Sequence, residues 1–130
     1  MATLGDGTTT GVGALLTYCW LGTCVDAFEL PPASDLPPLP VDPSAVTLEL
    51  RLDGEAGFLS WSASHGDGSL GELTPLDRGG EPYDPDLSPT VPPTITQAEI
   101  ALPPSGDWIL YVVIRALEGE AHYAWHVTLS

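Results

Sequence analysis

This chain of 130 residues carries most of its reactive groups on two cysteines, three histidines and 18 acidic residues. A hairpin that turns at Leu21-Gly22 would place Trp20 opposite Thr23 and Cys19 opposite Cys24. Cysteines in such a cross-strand pair have Cα atoms about 4.5–5.5 Å apart, which a disulfide can bridge. The spacing therefore predicts a Cys19–Cys24 disulfide and an oxidising compartment. Two free thiols in a cytosolic chain are the alternative.

The histidines are too dispersed to predict a metal site. His122 and His126 share one face of a predicted strand, but they lie about 13 Å apart, too far to chelate one ion. His65 belongs to a distant predicted loop. Two cysteines without a matching histidine cluster do not make a zinc site. We therefore predict polar histidines on an outer sheet face, no metal site and no cofactor.

One acidic segment, Tyr83-Asp84-Pro85-Asp86, resembles part of a calcium-binding loop. It lacks the glycine and the terminal glutamate that an EF-hand loop has at fixed spacing. A solvated acidic loop is therefore favoured over a calcium site made of Asp84, Asp86 and backbone carbonyl groups. Both interpretations leave this loop as a candidate binding surface, because long ordered loops often have a function.

No catalytic motif is present in the sequence. There is no G-x-S-x-G nucleophile elbow, no H-E-x-x-H zinc motif and no phosphate-binding glycine loop. Ser62, His65 and Asp67 are close in sequence, but catalytic triads are assembled in space, so this proximity predicts nothing. A pair of carboxylates for glycoside hydrolysis stays open, and 18 acidic residues leave such a pair unidentifiable.

The charge of the chain limits its partners. Only 3 residues are Lys or Arg, and the formal net charge is −15. Such a chain cannot neutralise phosphates, which argues against nucleic acid and against anionic membranes. The longest apolar run is also too short for a membrane helix. An acidic surface fits either a halophile or a bacterium with a high-GC genome. The oligomeric state stays open.

Composition and periodicity together predict strands. The 14 glycines and 14 prolines disfavour helices. Apolar and polar residues alternate in three segments, residues 46–52, 59–64 and 121–129. Residues 94–102 suggest an edge strand. Residues 108–117 are apolar on both faces. About seven to nine such strands predict an all-β, immunoglobulin-like, two-layer antiparallel sandwich. The residues predicted to face inward are Val46, Leu48, Leu50, Leu52, Leu59, Trp61, Ala63, Trp108, Leu110, Val112, Tyr123, Trp125, Val127 and Leu129.

The pattern predicts one domain over residues 1–130. Residues 31–43 contain repeated prolines and predict an extended connector. Residues 77–93 predict a long loop. Met1-Ala2-Thr3 does not begin a secretory leader. The predicted oxidising compartment then implies a mature extracellular or cell-surface domain whose leader is not part of this sequence.

Both ends of the chain carry further short motifs. Thr17-Tyr18-Cys19-Trp20 and Cys24-Val25-Asp26 lie near the start, and G-x-W-x-L-x-V at 106–112 precedes Y-x-W-x-V at 123–127. This arrangement resembles uncharacterised secreted or lipoprotein domains of bacteria. The resemblance implies an extracellular immunoglobulin-like module. It implies no catalytic residue.

These observations predict a non-enzymatic extracellular or cell-surface module for binding, or an accessory domain. Sandwich scaffolds present recognition loops at their two ends. The candidate contact residues are Trp20 and Leu21 at the hairpin tip and Tyr83, Asp84 and Asp86 in the acidic loop, facing a protein or another cell-surface ligand. Packing of Trp20 against the disulfide is the alternative for the tip. A small carboxylate-dependent hydrolase and a structural spacer are the alternative functions.

Overall fold

The structure, a computed structural model, describes residues 2–7, 9–20, 23–25, 33–52, 57–67, 73–80, 86, 94–117 and 119–129. These residues form eleven β-strands and one short 3-10 helix at Ala33–Asp35. The strands are β1 (Ala2–Gly5), β2 (Thr10–Val12), β3 (Ala14–Trp20), β4 (Thr23–Val25), β5 (Pro38–Val41), β6 (Thr47–Leu52), β7 (Ser60–Gly66), β8 (Thr74–Gly80), β9 (Gln97–Ala101), β10 (Gly106–Ala116) and β11 (Gly119–Leu129). No helix in the described part of the chain is long and apolar enough to cross a membrane.

The strands form two sheets. The smaller sheet has the order β2-β1-β6-β9, and the larger has the order β4-β3-β11-β10-β7-β8, with β5 added alongside β11. Among the described strand pairs, β5–β11 is parallel and the others are antiparallel. The predicted immunoglobulin-like sandwich is confirmed. The strand number exceeds the prediction because β2 has only 3 residues, too few to show a period of two, and because β5 lies within the proline-rich segment predicted as a connector.

The core fills the space between the sheets, and the predicted alternation places it correctly in most strands. The predicted inward residues that are buried are Leu48, Leu50, Leu59, Trp61, Ala63, Leu110, Val112, Tyr123, Trp125 and Val127. The prediction for Val46 is wrong, because this residue precedes β6 and is 83% exposed. Trp108 is only partly buried, since it lies beyond the core, where it packs against His65 with ring centroids 4.8 Å apart.

The structure differs from the predicted connector at residues 31–43 and from the predicted loop at residues 77–93. Pro38–Val41 is a strand at the side of β11, with Leu39 and Val41 buried and Pro38 and Pro40 exposed. Proline lacks a backbone N–H group. It is therefore tolerated at strand positions where that group would point away from the partner strand. Residues 77–80 belong to β8, which pairs with β7. Most of the remaining loop lies outside the described residues.

Trp125 is the largest fully buried side chain, and two glycines accommodate it. Its indole Nε1 donates a hydrogen bond of 2.9 Å to the carbonyl oxygen of Gly11. A Cβ atom on Gly13 would lie 2.6 Å from Cζ2 of Trp125, whereas a Cβ atom on Gly11 would meet its nearest neighbour at 3.8 Å. Gly13 therefore has to lack a side chain where the chain passes from β2 to β3.

We expect Gly13→Ala to destabilise the protein by about 1–3 kcal/mol, because the added methyl group must displace a close-packed indole. Gly11→Ala is the matched control, since its methyl group finds ordinary van der Waals space beside the same indole. Urea unfolding followed by tryptophan fluorescence gives both free energies of unfolding. Equal stabilities for the two variants would contradict the packing described for Gly13.

Candidate functional site

The predicted disulfide is confirmed. Cys19 and Cys24 are bonded to each other, with Cα atoms 4.0 Å apart. Strands β3 and β4 pair in the predicted register, with Cys19 opposite Cys24 and Trp20 opposite Thr23. Both cysteines are exposed, and β4 is an edge strand of the larger sheet. The disulfide therefore fastens the outermost strand of this sheet to its neighbour.

Most of the predicted contact residues lie outside the part of the chain that the structure describes. Leu21, Tyr83 and Asp84 lie outside the described residues. Trp20 ends β3, but its side chain is not among those described. Asp86 is exposed. The described residues include no group of three or more His, Cys, Asp or Glu side chains that could hold a metal ion.

A different group of polar residues lies on the outer face of the larger sheet. In the β10–β11 hairpin, Arg115 lies opposite Glu120 and Val113 lies opposite His122, while Tyr111 is one further pair along the same face. We call Tyr111, Arg115, Glu120 and His122 the outer-face cluster. Alternation along each strand turns these side chains away from the core that the neighbouring positions fill.

Contacts connect the outer-face cluster from end to end. Arg115 Nε lies 2.9 Å from Glu120 Oε1, and His122 Nε2 lies 3.3 Å from Glu120 Oε2. On the other side of the imidazole ring, Nδ1 is hydrogen-bonded to the hydroxyl group of Tyr111. The two rings meet edge to face, with centroids 5.5 Å apart and planes at 87°. The order of groups is therefore guanidinium, carboxylate, imidazole and phenol.

The tautomer of His122 sets the direction of its hydrogen bond with Tyr111. Burial raises the pKa of Tyr111 above its ordinary value, and the nearby negative charge of Glu120 raises it further. At neutral pH the hydroxyl group therefore keeps its proton, and it donates to Nδ1 in the tautomer of His122 whose Nδ1 is unprotonated. A neutral imidazole that accepts at Nδ1 carries its own proton on Nε2. This proton lies on the Glu120 side, although no described residue makes an aligned hydrogen bond to Nε2.

Apolar neighbours hold Tyr111 on one side. Leu36, Ile109 and Ala124 are buried together on the outer face of the sheet, and Tyr111 packs against them. Leu36 follows the 3-10 helix Ala33–Asp35, so the segment before β5 covers this part of the sheet. The ring of Tyr111 is therefore half-buried and fixed in orientation.

The other two histidines have separate surroundings. His126 Nε2 lies 3.3 Å from Asp107 Oδ1, and the same oxygen accepts a hydrogen bond of 2.8 Å from Thr128. His65 lies opposite Leu110 in the register of β7 and β10, on the inner face, beside Trp108. His122 and His126 occupy the predicted outer face, but both are partly buried and paired with acidic residues.

Sequence reasoning missed the outer-face cluster. The short connection between Ala116 and Gly119 and the alternation of β11 together fix which residues lie opposite each other in β10 and β11. This register alone is enough to make Tyr111 and His122 diagonal neighbours on one face. It does not place Leu36 beside them, because the position of Leu36 depends on a parallel strand that the repeated prolines concealed.

Comparison with known proteins identifies the fold but no sequence family. No family model matches the chain, and no curated protein matches it. Among solved structures, the catalytic domain of a lytic polysaccharide monooxygenase from Listeria monocytogenes is similar, with 20% identity and a TM-score of 0.51 over 75% of this chain. The chain spans 63% of that domain's length, less than two-thirds.

Two further solved structures have lower scores. A lytic polysaccharide monooxygenase from Jonesia denitrificans is 14% identical over 72% of this chain and 57% of its own, with a TM-score of 0.43. Another polysaccharide monooxygenase is 13% identical over 75% of this chain and 63% of its own, with a TM-score of 0.48. Likeness at these identities concerns the fold.

The similarity to the Listeria catalytic domain overturns the prediction of a non-enzymatic binding or accessory module. That prediction assumed that a small sandwich without a catalytic motif displays loops for recognition. The solved structures similar to this chain include a catalytic domain built on the same kind of sandwich. A sandwich scaffold is therefore no argument against an enzyme, and the prediction that the chain is not an enzyme was wrong. Function has to be argued from the site.

We expect the disulfide to contribute about 2 kcal/mol to the free energy of unfolding, the size expected for so short a closed loop. The double variant Cys19→Ser, Cys24→Ser should lose this amount in urea unfolding and keep the β-sheet circular dichroism of the wild type. Intact mass after alkylation, with and without reductant, checks the starting material. Alkylation of both thiols in the unreduced protein would contradict the bond.

We expect Tyr111 to make stability fall at alkaline pH. The pKa of Tyr111 in the folded protein is raised above the ordinary value of 10.0. The protonated side chain therefore contributes its full stabilisation of the fold below the ordinary pKa, and this contribution is lost as the pH rises through the folded-state pKa. Tyr111→Phe should remove part of this alkaline loss, measured as the melting temperature between about pH 9 and 12. Tyr123→Phe is the matched control, because burial also raises the pKa of Tyr123. If Tyr111→Phe and wild type lose stability in parallel, the described environment of Tyr111 is wrong.

Proposed function

We propose that this chain is an enzyme that acts on polysaccharide outside the cell or at the cell surface. The observation that supports the proposal is the sandwich it shares with the catalytic domain of a polysaccharide monooxygenase at a TM-score of 0.51. The Cys19–Cys24 disulfide supports an oxidising compartment, because such bonds persist in secreted proteins. The resemblance of the chain ends to secreted bacterial domains agrees with this location.

The proposal takes its substrate class from the similar monooxygenase domain, but it does not take the oxidative reaction of that domain. Monooxygenases activate dioxygen on a cofactor such as a flavin, a haem, copper or non-haem iron. The histidines do not fit a metal centre: His65 faces inward, His122 is held by Tyr111, and His126 is paired with Asp107. The described residues contain no three-ligand group. They therefore do not build a metal centre for this chemistry.

The charge of the chain favours an uncharged polysaccharide. A formal net charge of −15 repels polymers that carry uronate or sulfate groups, and the repulsion is strongest at low salt. Neutral polysaccharides escape this penalty, and they bind through hydrogen bonds and apolar contacts. A broad sheet face with polar and aromatic side chains, such as the one around Tyr111, provides both.

The proposal predicts products from neutral polysaccharides. Purified disulfide-bonded protein is incubated with cellulose, chitin and O-acetylated xylan, and with alginate as an acidic comparison. Each incubation is run with and without oxygen and ascorbate, and soluble products are identified by mass spectrometry. We expect products from at least one neutral polysaccharide and none from alginate at low salt.

The oxygen and ascorbate arms separate oxidative from hydrolytic action. Heat-denatured protein is the control for contaminating ions and spontaneous breakdown. Release of products from none of the polymers under either condition would overturn the proposed function.

A further inference from the structure

We propose that the outer-face cluster is a hydrolytic site, in which Tyr111 takes a proton from the water that cleaves an acyl ester carried by a polysaccharide. The inference rests on the proposed function and names its substrate class, an O-acylated neutral polysaccharide. In this assignment Tyr111 is the catalytic residue. His122, Glu120 and Arg115 are positioning residues that act through it.

The contacts provide a path for a proton. The hydroxyl group of Tyr111 is hydrogen-bonded to Nδ1 of His122. In the tautomer of His122 that carries its proton on Nε2, the hydroxyl group donates to Nδ1, and its oxygen has lone pairs available on the other side. When that oxygen accepts a proton from water, its own proton can move to Nδ1. The phenol is neutral before and after the transfer, which suits a group whose burial disfavours the phenolate.

The positive charge then forms on His122, where a negative charge is near. Glu120 Oε2 lies 3.3 Å from Nε2, so it can stabilise the imidazolium as it forms. The second carboxylate oxygen of Glu120 is held by Arg115 at 2.9 Å. This contact orients the carboxylate toward the ring. The arrangement of carboxylate, imidazole and hydroxyl follows the logic of a catalytic triad, with water rather than a side chain as the nucleophile.

The same groups favour an acyl ester over a glycosidic bond. Glycoside hydrolysis uses two carboxyl groups, about 5–9.5 Å apart, on either side of the scissile bond. The cluster has a single carboxylate, Glu120, and both of its oxygens face Arg115 and His122. Ester hydrolysis needs one group that first takes a proton and then returns it, which a tyrosine backed by a histidine supplies.

The step balances with water as the only co-reactant. The water oxygen forms a bond to the acyl carbon, and the carbonyl π bond opens to place its electron pair on the carbonyl oxygen, while the proton of the water passes to Tyr111 and the proton of Tyr111 passes to His122. The carbonyl bond then re-forms as the ester C–O bond breaks, and the proton returns from His122 through Tyr111 to the departing sugar oxygen. The products are a carboxylic acid and a free hydroxyl group on the polysaccharide, and no oxidant or reductant is consumed.

The surroundings of Tyr111 leave room for a polymer. Its neighbours across the sheet are Ser64 on β7 and Ala124 on β11, which are both small. Tyr111 is therefore the tallest side chain of its row and is partly exposed. Leu36 covers the side of Ala124, so a chain of sugars would approach from the side of Ser64 and bring an ester group to the hydroxyl of Tyr111 without entering a deep pocket.

The test measures acetate released from O-acetylated xylan and from 4-nitrophenyl acetate. Tyr111→Phe and His122→Gln should each lower kcat by about 100-fold or more, the range of general acid–base catalysis. Glu120→Gln should lower kcat and leave KM unchanged, because it acts on the imidazolium and not on bound substrate. His126→Gln is the matched control, an outer-face histidine with its own acidic partner, and it should retain wild-type rates.

The outcomes separate this inference from the proposed function. Circular dichroism and melting temperatures establish that each variant is folded, and Tyr111→Phe and His122→Gln act as independent tests if one of them is not. Full acetate release by a folded Tyr111→Phe or His122→Gln variant would overturn the inference. Wild type that produces oligosaccharides but no acetate would overturn it and leave the proposed function standing. Wild type that produces neither overturns both.

Discussion

The pairing of β10 with β11 determines both the core and the outer surface of the larger sheet. Their register is continuous from the Gly106–Leu129 pair at the open end to the Ala116–Gly119 pair at the turn. Gly119 has a φ of 150°, a backbone angle that residues with a side chain rarely adopt. A glycine is therefore required where β11 begins. One register places Leu110, Val112, Trp125 and their neighbours inside. A shift by one residue would expose the core and bury the outer-face cluster.

Much of the fold could be predicted because alternation survives wherever one face of a strand is covered and the other is not. Leu48 and Leu50 in β6 and Trp61 in β7 are examples. Val46 was misplaced because alternation does not show where a strand begins. Pro38–Val41 was missed for a different reason. Proline normally interrupts strands, and only the partner strand shows that Pro38 and Pro40 face away from the pairing.

The candidate site was less predictable than the fold. The sequence showed single residue types, such as His122 and Tyr111, but their chemistry depends on which residues are adjacent across the hairpin. The register is contained in the turn and the alternation, so this pair was within reach. The half-burial of Tyr111 was not, because it depends on Leu36, which is distant in sequence and held by a parallel strand. The absence of a motif therefore said little about catalysis, since active sites are recognised by geometry and not by sequence position.

The scarcity of basic residues gives the arginine of the cluster particular weight. The chain has 3 Lys and Arg residues against 18 Asp and Glu, so most carboxylates cannot have a cationic neighbour. Two of the arginines lie across or along a strand from a glutamate, Arg51 beside Glu49 and Arg115 beside Glu120. Both pairs are largely exposed, so neither contributes much to stability. The second fixes a carboxylate against an imidazole ring. In a chain with so few cations, this places one beside the carboxylate that faces the imidazole ring, at the one described position where carboxylate, histidine and tyrosine meet.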